Sequence, residues 1–178
     1  MPVPDFSPGE VLTAAAMDSI GLWLVKTQAV GTAVASVEVT GAFSSDYDNY
    51  RITWTGGTLG GTENMRMILG ATATGYYSQT IYQTYASNVA PFANAPDNNA
   101  VRWTLVGVGT TAFASVRMDL FNPNRTTRTL MSAQYASNTA AGASNGFLDN
   151  ATAYTSFTLS PAAGTMTGGT VRVYGYRN

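Results

Sequence analysis

Hydrophobic and polar residues alternate along most of this chain, one strand-length run after another. Tyr50, Ile52 and Trp54 interleave with Arg51, Thr53 and Thr55, and Met65, Met67 and Leu69 interleave with Arg66 and Ile68. Phe113, Ser115, Arg117 and Asp119 alternate with Ala114, Val116, Met118 and Leu120. Ala33, Ala35, Val37 and Val39 alternate with Val34, Ser36, Glu38 and Thr40. A period of two puts successive side chains on opposite faces of a pleated strand, so each run predicts a strand with one face in a core. Leu22-Trp23-Leu24-Val25 is apolar throughout and predicts a strand buried on both faces. Further strands are expected over 101–106, 127–135, 152–160 and 170–176. The stretch from Gly75 to Tyr85, with Tyr76, Tyr77, Ile81 and Tyr82, predicts a Tyr-rich strand pair or one long bent strand.

Turn chemistry separates these runs: Gly56-Gly57, Gly70, Gly107 with Gly109, and Asn122-Pro123-Asn124. Residues 87–99, with Pro91, Pro96 and four Asn, predict the longest irregular loop, and Asn138 to Asn145 predicts a second loop of small residues. About ten strands with turn signals every ~8–12 residues and no internal repeat predict an all-β, antiparallel β-sandwich, jelly-roll-like, rather than a propeller or solenoid.

The N-terminus breaks the pattern. Pro2, Pro4, Pro8 and Gly9 forbid regular structure and predict an extended arm over Met1 to Leu12. Thr13 as an N-cap, Ala14 to Ile20, and Gly21 as a stop predict one short helix. The expected organisation is therefore an anchoring arm and short helix over 1–21 and a β-sandwich domain over 22–178. Neither a Pro-punctuated segment nor a single short helix is stable alone in water, so the arm needs a surface to lie on.

Composition narrows the function. Nine basic and ten acidic residues leave a net charge of −1, and no two basic residues are adjacent, which argues against nucleic acid as a partner. No apolar run approaches the ~20 residues of a membrane span, and residues 1–20 lack a basic and then apolar leader, so neither a membrane nor export by a signal peptide is expected. The chain has no Cys, no His and one Lys (Lys26), which removes thiolates, disulfides, the commonest general base and the commonest transition-metal ligand. No cofactor and no enzymatic activity are expected.

The remaining candidates are few. Asp46 and Asp48 offer alternate oxygens to Ca²⁺, but a polar turn before Tyr50 is the preferred reading, since no downstream Glu completes a site. Glu38, Glu63, Asp119 and Asp149 show no sign of converging as a carboxylate pair. Tyr76, Tyr77, Tyr82 and Tyr85 beside the Asn-rich loop are candidate glycan contacts, weighed against plain packing.

Two terminal stretches carry a family resemblance. Phe6-Ser7-Pro8-Gly9-Glu10-Val11-Leu12-Thr13-Ala14-Ala15 resembles the "aromatic-x-x-Gly-Glu-Val-Leu-Thr-Ala-Ala" opening of many tailed-bacteriophage structural proteins, especially tail and fibre components. There a Met/Leu-Asn pair usually follows, where this chain has Met17-Asp18. The ending, Gly169 to Asn178, and the stretch Ser45 to Tyr50 are similar to the same group. The resemblance implies a virion β-sandwich, frequently trimeric, with no catalytic residues to carry over. Phe6, Pro8, Glu10, Val11 and Leu12 are then the anchoring residues, and other virion proteins the partners. A tail fibre, spike or receptor-binding module is expected. A capsid decoration or head-fibre protein is the first alternative, a lectin-like adhesin for host surface glycan the second, and a depolymerase the last.

Overall fold

A computed structural model describes residues 21–86, 92–93 and 97–176. The short helix and the anchoring residues Phe6, Pro8, Glu10, Val11 and Leu12 lie outside the described residues. The strands are β1 (Leu22–Ala29), β2 (Val37–Val39), β3 (Asn49–Leu59), β4 (Glu63–Leu69), β5 (Tyr76–Thr84), β6 (Phe92–Ala93) and β7 (Asp97–Ala100). They continue with β8 (Trp103–Gly109), β9 (Ala114–Phe121), β10 (Thr129–Ala136), β11 (Ala140–Leu148), β12 (Phe157–Pro161) and β13 (Met166–Tyr176). The all-β, antiparallel class expected from the alternation is the one the chain adopts.

Hydrogen bonding joins all thirteen strands in one branched sheet with two limbs. The large limb runs β1-β13-β3-β9-β10-β11-β5, with β6 and β7 both paired to β5; the small limb runs β8-β4-β12-β2. The branch is at β9. One edge of β9 pairs with β3, while the other is shared, β10 taking Arg117 to Phe121 and β8 taking Ala114 to Val116. Gly107 makes this sharing feasible, because a Cβ there would lie 2.5 Å from the Ser115 carbonyl oxygen. A second bend is built from glycine at Gly56-Gly57 opposite Gly168-Gly169, three of them at positive φ. β3 therefore runs on through the pair that reads as its end in the sequence. Trp54 closes over this bend, its Nε1–H donating to the Gly168 carbonyl at 3.2 Å.

The limbs face each other across one core. Tyr50, Ile52, Trp54, Val116, Met118 and Leu120 from the large limb meet Val39, Met65, Met67, Leu69, Phe157 and Leu159 from the small one. Phe43 bridges them, edge-on to Tyr50 and stacked on Phe157. Each large apolar side chain fully buried this way contributes about 1.5–3 kcal/mol.

Four sequence expectations need correction. Leu22 and Leu24 are 42% and 56% exposed, not buried on both faces, because β1 is an edge strand whose partner is β13. The run 33–40 forms a strand only over Val37–Val39, since Ala33 takes a left-handed φ of 54°. The loop expected over 87–99 contains β6 and β7. The small-residue loop expected over 138–145 is largely β11, held on both sides by β10 and β5. Its Gly, Ala and Ser side chains are too small to display the alternation that their pairing enforces.

Candidate functional site

Period two divides the four candidate tyrosines. Tyr76, Ser78 and Thr80 point into the core, while Tyr77, Gln79 and Ile81 point out. Tyr76 is fully buried, edge-on to Trp103 at 5.1 Å, and its hydroxyl accepts from the Leu69 N–H at 2.8 Å and donates to the Thr72 carbonyl. Burial raises its pKa well above the usual tyrosine value. It is a core residue and offers no face to a ligand. Tyr82 shares the parity of Tyr76 and lines a cleft of about 230 Å³ between the limbs, with Thr80, Leu105, Tyr135 and Ser137. Burial, and then the neighbouring Tyr82, push the Tyr135 pKa up to about 12. Tyr85 lies beyond the end of β5 and is 63% exposed. The four do not form one platform.

Tyr77 has a different neighbourhood. Register places Phe147 of β11 directly opposite, and the two rings stack with centroids 4.8 Å apart and planes 10° from parallel. The same rung continues through Leu130 of β10 to Phe121 of β9, both partly exposed, as an apolar row across four strands. Arg128 lies over the Phe147 ring and pairs with Asp149 at 2.7 Å. Beside the stack is a groove of about 400 Å³, lined by Tyr77, Phe147, Gln79, Asn98 and Asn145, with Asp97 in its wall.

The groove is braced from within. Trp103 Nε1–H donates to the Tyr77 carbonyl at 3.3 Å, fixing the backbone under the stack. The buried Asp97 carboxylate accepts from Ser78 Oγ at 2.7 Å, the Thr104 N–H at 2.9 Å and Thr104 Oγ1 at 2.8 Å. Asn99, at a φ of 52°, accepts at Oδ1 from the Gly75 N–H and Thr74 Oγ1. Asn98 is thus held between two pinned residues with its own side chain exposed. The site offers an aromatic surface, three exposed amides and a carboxylate already committed to three donors. Phe147 and Gln79 are not apparent from the sequence, and Asn98 and Asn145 appear there only as members of expected loops, because placing them requires β11 and β7 to be seen as strands flanking β5.

The other candidates resolve into structural roles. Asp46 accepts from Ser44 Oγ, and Asp48 is paired with Arg125. Glu38, Glu63, Asp119 and Asp149 lie on or beside four different strands, and no group of three or more metal-ligating side chains occurs among the described residues. Asp119 takes a bidentate ion pair from Arg51 at 2.8–2.9 Å and a hydrogen bond from the Tyr176 hydroxyl at 2.7 Å, tying β3, β9 and β13 together. Burial opposes its charge, but these donors outweigh it and lower its pKa.

Compared with protein-family models, with curated proteins and with solved structures, the chain finds no match in any of the three.

Proposed function

We propose that this chain is a non-enzymatic structural module of a tailed-bacteriophage particle: a tail-associated fibre, spike or receptor-binding component held by its N-terminal arm and assembled as a homotrimer. The observation that carries the reading is the placement of the first and last described strands relative to the groove. Leu22, the first residue of β1, is in register with Tyr176, so the strand that follows the arm and the last described strand lie together at one edge of the large limb. The groove lies at the opposite edge, beside β5 and β7. Six strand spacings separate β1 from β5 along the order β1-β13-β3-β9-β10-β11-β5, or roughly 25–30 Å at ~4.8 Å per strand. Tethering at one edge and recognition at the other is the layout an attachment module requires.

The resemblance of residues 6–15 to phage tail components supports the same reading, and Leu22 and Leu24 at the tethered edge supply apolar surface of the kind that assembly covers. A capsid decoration or head-fibre protein would share this layout at higher copy number. Removing residues 1–20 tests the arm. The truncated chain should fold as a β domain and fail to join the particle; normal incorporation would remove the arm from its anchoring role.

A further inference from the structure

We propose that the groove beside β5 and β7 binds a neutral pyranose ring of a saccharide, with Tyr77 as the stacking surface and the amides of Asn98, Gln79 and Asn145 as hydrogen-bonding partners. The inference rests on the attachment reading and gives its recognition surface a ligand class.

Three observations point to a sugar. First, a pyranose carries an apolar C–H face and a rim of hydroxyls, so it needs a flat aromatic surface with paired donors and acceptors around it. The groove supplies both: Tyr77 braced by Phe147, and three planar amides, each with two donors and an acceptor. The amides of Gln79, Asn98 and Asn145 are exposed and make no side-chain hydrogen bond to another described residue, so their capacity is available to hydroxyls.

Second, the frame is preorganised. Trp103 fixes the Tyr77 backbone, and Asp97 and Asn99 pin the strand on either side of Asn98. Binding therefore orders side chains on a backbone that is already held, which limits its entropic cost. Third, the charge is wrong for an anion. Asp97 is the carboxylate of the wall, and its oxygens are occupied by Ser78 and Thr104; Arg128, over the Phe147 ring, is paired with Asp149. Among the described residues that line the groove there is no basic side chain to meet a uronic or sialic acid, whereas an uncharged ring suffers no such mismatch.

The test is titration of the full chain with maltose, lactose, the N-acetylglucosamine dimer and rhamnose, and with sialyllactose as the charged comparator. Saturation-transfer NMR would be read alongside calorimetry. At least one neutral saccharide should bind with a Kd in the millimolar range or tighter, up to about 10 mM. Tyr77→Ala and Asn98→Ala should each weaken it about tenfold or more, Tyr77→Phe should retain it, and Tyr85→Ala should leave it unchanged although Tyr85 is the more exposed ring. Asn98 is a surface residue, so its variant stays informative even if Tyr77→Ala unfolds. Silence from all four neutral saccharides, binding undiminished in Asn98→Ala, or preference for sialyllactose would each overturn the inference. Particles carrying Asn98→Ala should contain this chain at normal copy number. If they do while no saccharide binds the wild type, the groove inference falls and the virion reading stands.

Discussion

Tyr76 and Tyr77 are adjacent in sequence and opposite in fate. On the inner face of β5, Tyr76 has its ring against Trp103 and its hydroxyl bonded to Leu69 and Thr72. On the outer face, Tyr77 stacks on Phe147 and borders an open groove. The same residue type, one position apart, packs the core on one side and walls an open groove on the other. What separates them is the pleat, not the chemistry of the side chain. Trp103 joins the two roles, because its ring packs on Tyr76 while its indole N–H holds the Tyr77 carbonyl.

The largest test of this contrast is truncation on each face. Tyr76→Ala and Trp103→Ala should each cost about 3–5 kcal/mol of unfolding free energy, since each opens a cavity in a closed core. Tyr77→Ala should cost about 1 kcal/mol or less, the stacking contribution of one partly exposed pair. Urea titration of the three variants measures this, and equal costs on both faces would break the comparison. Next in size is Asp97→Ala, which should cost roughly 1–3 kcal/mol by leaving the Thr104 N–H and Ser78 hydroxyl without their acceptor. It should also loosen Asn98, visible as faster amide exchange over 97–100 than in wild type.

Alkaline pH probes the inner face as a whole. Burial raises the pKa of Tyr50, Tyr76 and Tyr135 there, the last to about 12. An unfolded tyrosine loses its proton near pH ~10, so above that value the native state holds more protons than the unfolded one. The contribution is fully present below pH ~10 and is lost as the pH rises through the folded values. Thermal stability should therefore fall from about pH 10 upward, and Tyr135→Phe should make that fall shallower. The smallest effect is the acid counterpart on the outer face. The lowered pKa of Asp119 gives a contribution present above the unfolded carboxylate value of ~3.9 and lost as the pH falls through the folded one. Because Arg51 and Asp119 keep 28% and 25% of their side-chain surface exposed, Asp119→Asn should cost no more than about 1 kcal/mol at neutral pH. It should also flatten the acid limb.

Legibility in the sequence followed side-chain size. Tyr50, Ile52 and Trp54, and Val116, Met118 and Leu120, announce their strands because large apolar residues recur every second position, and all six are buried. β11 is the reverse case: Ala140 to Gly146 carries no bulky residue, so its alternation is silent until β10 and β5 pair with it. That hides Phe147, and with it the groove. The tyrosines of β5 were visible as a cluster but not as two faces, since assigning parity requires a single unbroken strand over Tyr76–Thr84. The branch at β9 was not readable either. It depends on two strands sharing one edge, a long-range arrangement that only the small side of Gly107 hints at.

Imaging of a particle that carries this chain tests the central claim most directly. Its copies should be oriented with the β1–β13 edge toward the particle and the β5–β7 edge turned outward, the Tyr77 groove open to solvent. Copies with the groove buried against the particle and the Leu22–Tyr176 edge outward would contradict that claim.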